Sequence, residues 1–88
     1  MRKVTFSGDS YDKFIGLVIE DAKLFQRLNR IIQECRRTPF EGIGKPEPLK
    51  NQYKGYWSRR IDDKNRLIYK VTQDEIVVYA IKGHYDDK

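Results

Sequence analysis

An α+β fold, with two N-terminal helices packed on a mainly antiparallel sheet of four to five strands, is predicted by three observations. The first half of the 88-residue chain carries a strong apolar stripe at helical spacing. After Gly55 the apolar period changes to two. Between these regions, Thr38–Gly55 holds all three prolines and three of the six glycines, which marks a long connecting loop.

Lys3 to Phe6 is a short strand, with Val4 and Phe6 on one face. Ser7-Gly8-Asp9-Ser10 is a turn and helix cap. Tyr11 to about Ile19 is a first helix, weakened by Gly16. In the second helix Leu24, Phe25, Leu28, Ile31, Ile32 and Cys35 share one face, and Lys23, Arg27, Arg30 and Gln33 cover the other. Cys35 reads as a core residue. The helix should end near Arg37, because Pro39 disfavours helical geometry at Thr38. Phe40, Ile43 and Leu49 favour an ordered loop. Beyond it, Trp57, Arg59 and Ile61 alternate with Tyr56, Ser58 and Arg60. Asp62-Asp63-Lys64-Asn65 is a hairpin turn. Arg66–Val71 and Glu75–Ile81 are the last strands, with Gly83 ending the second. The order β-α-α-loop-β-β-β places both helices on one face of the sheet.

A chain of 88 residues has interior for one domain, spanning 1–88. Its net charge of +5 favours polyanions or acidic proteins as partners without choosing between them. A single cysteine, Cys35, excludes an internal disulfide framework and cysteine-rich zinc sites, and with a single histidine no structural metal is expected. No apolar run approaches the roughly 20 residues that cross a bilayer. MRKVTFSGDSYDK lacks the apolar core of a signal peptide. A cytoplasmic protein without membrane contact is expected.

The reactive side chains are few. "KPEPLK" sets Glu47 between Pro46 and Pro48, on a stiff, extended backbone, with Lys45 and Lys50 at its ends. His84 lies just past the last predicted strand, and Arg59, Arg60 and Arg66 lie on or beside the hairpin. These groups fit cleavage of RNA by its own 2′-hydroxyl. That reaction needs a base, an acid and cations against the phosphoryl oxygens, and no metal or cofactor. Glu47 would be the base, His84 the acid and Arg66 the clamp, whose planar fork suits phosphate. Tyr85, Tyr56 and Trp57 would stack on bases, and Lys45, Lys50, Arg59 and Arg60 would hold the backbone. Each signal also has an ordinary structural explanation: a solvated histidine, a rigid turn, aromatic core residues. From the residues alone, RNA cleavage and a basic interaction module both stay open.

A wider pattern joins these pieces. "RRTPFEGIGKPEPLK" at Arg36–Lys50, "GYWSRRI" at Gly55–Ile61, "RLIY" at Arg66–Tyr69 and "HY" at His84–Tyr85 resemble the YoeB/Txe family. These are bacterial toxins of the wider RelE superfamily, encoded beside YefM/Phd-type antitoxins. The resemblance implies a microbial-ribonuclease-like fold and a ribosome-dependent endoribonuclease (mRNA interferase) that cleaves mRNA in the A site. It implies Glu47 as general base, His84 as general acid, Arg66 on the phosphate and Tyr85 shaping the active end. The implied partners are mRNA, the ribosome, the antitoxin and, only as a toxin–antitoxin complex, operator DNA. A homodimer stays open. Three features depart from the family pattern: Asn65 where His is frequent, Gly83 where a large residue is usual, and the extension Asp86-Asp87-Lys88. The alternative is a catalytically silent module of the same fold that binds RNA or acidic protein. A free-standing ribonuclease is a third option.

Overall fold

Period-two alternation in the last third of the chain gives each strand two unlike faces, and only one needs cover. The computed structural model describes residues 1–83; His84, Tyr85 and the Asp86-Asp87-Lys88 extension lie outside the described residues. The elements are β1 (Lys3–Phe6), α1 (Ser10–Glu20), α2 (Ala22–Cys35), β2 (Glu47–Pro48), a 3₁₀ turn (Asn51–Tyr53), β3 (Trp57–Arg60), β4 (Asn65–Val71) and β5 (Glu75–Gly83). The sheet order is β1-β5-β4-β3-β2. β1 runs parallel to β5, and the other pairings are antiparallel. The architecture is the α+β arrangement expected from the sequence.

β1 has the expected bounds, whereas α2 stops at Cys35 rather than near Arg37. The chain leaves the helix in a turn in which the Arg37 and Thr38 amides both donate to the Glu34 carbonyl. The expected cap before α1 is not made by a side chain. Ser10 turns inward instead and donates to the Val78 carbonyl at 3.1 Å. Asp21 caps α2 by accepting from the Leu24 amide at 3.1 Å.

Leu24, Leu28, Ile31, Ile32 and Cys35 of α2 pack against Ile61, Leu67, Tyr69, Ile76, Val78 and Ile81. Each such aliphatic side chain stabilises the fold by about 1.5–3 kcal/mol when fully buried. Cys35 is buried as expected, and burial pushes its thiol pKa up. Phe14 of α1 joins Phe6 of β1 to Phe25 of α2, with ring centroids 5.1 and 4.9 Å apart. Both helices therefore lie on one side of the sheet, and among the described residues the opposite face carries no helix.

Candidate active site

The helix-free face takes its chemistry from register. In β4, Leu67, Tyr69 and Val71 belong to the core side, so Arg66, Ile68 and Lys70 project to the other. Residues directly opposed in antiparallel strands share a face. Arg66 is opposed by Arg60 on β3 and by Lys82 on β5. The result is a basic row across three adjacent strands. In the next row, Ile68 is opposed by Ser58 and Ala80, and Ser58 by Glu47 on β2. Ser58 and Ile68 are 2% and 0% exposed and form a closed floor, whereas Glu47 and Arg60 are exposed. Glu47 and Arg66 are two strands and two residues apart, or about 12 Å between Cα atoms at ordinary sheet spacings. One carboxylate thus faces three cations across a low floor.

Glu47 is placed by an edge strand of two residues. Pro48 offers no N–H, which confines such a segment to an edge. The Leu49 amide donates to the Tyr56 carbonyl at 2.9 Å and ties β2 to the start of β3. Upstream, Lys45 takes φ of +51°, a left-handed value uncommon outside glycine. Gly44, at φ +84°, lies so close to β3 that an added Cβ would meet the Arg60 carbonyl at 2.4 Å. That approach lets the Arg60 amide donate to the Gly44 carbonyl at 2.7 Å.

At the far end of the same face a β-bulge between Ile68 and Tyr69 shifts the β4–β5 register, and Tyr79 falls at the shift without a direct partner. Tyr79 meets Tyr56 at 4.9 Å and Tyr53 at 6.4 Å between ring centroids. Lys70 Nζ stands 5.8 Å from the Tyr56 ring centroid, a cation–π distance.

Residues 6–85 match the family model for the YoeB-like toxin of bacterial type II toxin–antitoxin systems. The chain belongs to this family. Toxin YoeB of Mycobacterium bovis is 46% identical over 85 residues, which is 97% of this chain and 100% of that protein. The YoeB/ParE toxin from Agrobacterium tumefaciens superposes with a TM-score of 0.88 at 38% identity, covering 94% of this chain and 99% of that one. Staphylococcus aureus YoeB, solved in a heterotetrameric YoeB–YefM complex, has a TM-score of 0.85 at 35% identity, covering 97% of this chain and 99% of that one. It has also been solved as a YoeB dimer.

In this YoeB-like chain the residues predicted for the site divide between the two faces. Glu47, Arg60 and Arg66 share the helix-free face, Tyr56 joins its aromatic end, and exposed Lys45 and Lys50 flank β2. His84 and Tyr85 lie outside the described residues. Arg59 and Trp57 require correction as substrate contacts. Trp57 packs against the core side, with its ring 4.8 Å from that of Phe40. Arg59 is fully buried, and its five N–H donors are all spent inside the protein. Nε donates to the Tyr69 hydroxyl, Nη1 to Glu34 Oε1 and the Ile43 carbonyl, and Nη2 to the Thr38 and Glu41 carbonyls. Burial would pull the guanidinium pKa down, but Tyr69 and Glu34 outweigh it and raise it. Burial likewise raises the Glu34 carboxyl, yet the Ile43 amide and Arg59 hold it below the usual glutamate value. Lys82, Tyr53, Lys70 and Tyr79 were not anticipated. Counting by twos from Arg66 across the hairpin finds Lys82, but no local signal announces a bulge.

Proposed function

We propose that this YoeB-like toxin is a ribosome-dependent endoribonuclease that cleaves mRNA in the ribosomal A site and so inhibits translation. The observation that carries the reading is the placement of Glu47 one row from Arg60, Arg66 and Lys82 on the face opposite the two helices. Glu47 takes the proton of the 2′-hydroxyl, whose oxygen attacks the neighbouring phosphorus. Arg66 stabilises the charge that builds on the phosphoryl oxygens. The 5′-oxygen leaves with a proton from His84, which follows Gly83 of β5 in the sequence. Tyr85 shapes this end of the site. Arg60, Lys82, Lys45 and Lys50 hold the backbone, and Tyr56 offers a ring for stacking. The chemistry requires no metal or cofactor.

A carboxylate is intrinsically a weaker base than imidazole, so much of the rate must come from orientation of the 2′-hydroxyl. A ribosome that distorts the bound mRNA supplies it. Purified protein is expected to cut mRNA on programmed ribosomes much faster than the same RNA alone, measured as single-turnover rates. Equal rates on both substrates would replace this reading with a free-standing ribonuclease.

The partner that silences the toxin is proposed to be a YefM/Phd-type antitoxin, as S. aureus YoeB is seen with YefM. An acidic segment that folds on binding suits the net charge of +5 and the basic row. The complex, rather than the toxin alone, would meet operator DNA, and self-association follows the S. aureus dimer. We place the protein in the cytoplasm; among the described residues no helix is long and apolar enough to cross a membrane. Co-expression with such an antitoxin should yield a stable complex without cleavage activity on gel filtration and assay. An active complex would break the assignment.

A further inference from the structure

We propose that Arg59 is a positioning residue for the Glu47 carboxylate, acting through the loop that its buried guanidinium holds. The inference rests on the reading of Glu47 as general base, and it concerns how that base is kept in place. Residues 38–44 have no regular secondary structure and make one path from α2 to β2. Arg59 takes the carbonyls of Thr38 and Glu41 at 2.6 and 3.0 Å and that of Ile43 at 3.2 Å. Tyr69, itself bonded to Arg59 Nε, donates to the Pro39 carbonyl at 2.7 Å. Glu34 bridges the arrangement, since its Oε1 accepts from both Arg59 and the Ile43 amide, at 2.6 and 2.8 Å. Gly42 is packed so tightly against this carboxylate that a Cβ there would stand 2.1 Å from Oε1. Four backbone groups between residues 38 and 43 thus converge on two side chains, with Tyr69 holding a fifth.

The geometry transmits that hold over a short distance. One residue past Ile43, Gly44 accepts from the Arg60 amide, and Arg60 stands in the basic row. Three residues past Gly44 is Glu47, with Pro46 removing one torsional freedom between them. Arg59 also lies on β3 next to Ser58, the residue opposed to Glu47. One buried side chain therefore fixes the approach of the loop to the very strand against which the base is registered. A misplacement of about 1 Å at a reacting group can cost about 10²-fold in rate.

The test compares Arg59→Lys, Glu47→Gln and the double variant with wild type on programmed ribosomes. Single-turnover rate and half-saturating protein concentration are measured, and circular dichroism confirms folding. Arg59→Lys keeps the charge but loses the fork. Its saturated rate should fall about 10- to 100-fold, while half-saturation moves less than about threefold because the basic row is untouched. Since Arg59 acts through Glu47, the double variant should be no slower than Glu47→Gln. A general loss of fold would instead lower the rate further. Amide exchange at Ile43 and acrylamide quenching of Trp57, the single tryptophan, report whether the loop has loosened. If Arg59→Lys does not fold, Tyr69→Phe removes the Pro39 and Nε bonds and keeps the ring; about a 3- to 10-fold rate loss is then expected. Wild-type rates in the folded variants, with Ile43 exchange accelerated, would overturn the positioning role alone. A fully active Glu47→Gln would overturn the base assignment and the positioning role with it.

Discussion

Glu47→Gln is expected to lower translation-dependent mRNA cleavage by about 10²–10⁴-fold, the range that a positioned acid or base contributes. The amide keeps the size and hydrogen-bonding reach of the carboxylate but cannot take the 2′-hydroxyl proton. Stability should barely move. Glu47 is exposed on an edge strand of two residues, and such surface substitutions usually stay within about 0.5 kcal/mol. The measurement is a single-turnover rate on programmed ribosomes beside a thermal melt. His84→Gln should give a similar loss by removing the acid. A variant that melts early would show Glu47 to be structural, and one that cleaves normally would leave the reaction without its base.

Arg59→Met should give the largest loss of stability, on the order of 3 kcal/mol; Glu34 is 32% exposed, so most of the loss comes from the loop carbonyls left without a donor rather than from a stranded charge. Small domains have only about 5–15 kcal/mol in total, so the shift in urea midpoint at neutral pH will be large. Methionine follows the aliphatic stem but ends short of the guanidinium, so lost packing adds to the loss of donors. The Glu34 carboxylate and the Thr38, Glu41 and Ile43 carbonyls all lose their Arg59 donor. The pair also gives the wild type an acid limb. The Glu34 pKa is lowered in the fold, so its contribution is present above the ordinary glutamate range and is lost as pH falls through the folded value. Asp62 adds to the same limb: burial raises its pKa, but the Asn65 and Lys64 amides outweigh that and lower it. Arg59→Met should therefore lose stability less steeply than wild type between neutral and acid pH. An identical slope would mean that Arg59 does not stabilise the Glu34 carboxylate.

The contrast between Glu47 and Arg59 shows which parts of the protein its sequence declares. The stripe of α2 and the alternation of β3 to β5 are local signals backed by burial, and both are realised. The extended backbone at Glu47 was legible because two prolines leave it few choices. Arg59 was misread because charge suggests surface. Yet its place between Trp57 and Ile61 on the apolar face held the correct answer, and five internal acceptors made its burial tolerable. Trp57 was misread for the mirror-image reason, as an aromatic residue assumed to serve the ligand rather than the core. The two-residue β2, the bulge at Tyr79 and the parallel partnership of β1 depend on contacts distant in sequence, so no window along the chain contains them.

That parallel partnership has a consequence for how the protein comes into being. Lys3 pairs with Glu75 and Phe6 with Val78, so the first strand made waits for the last. The basic row draws on β3, β4 and β5, and its third cation, Lys82, comes with the last of these strands. At synthesis rates of about 5–20 residues per second, the chain spends seconds on its own ribosome without a sheet to close. Long-range pairings of this kind also fold slowly once available. Until β5 is made, β1 has no partner and the basic row lacks its third cation, and a polypeptide cut short before β5 keeps both defects.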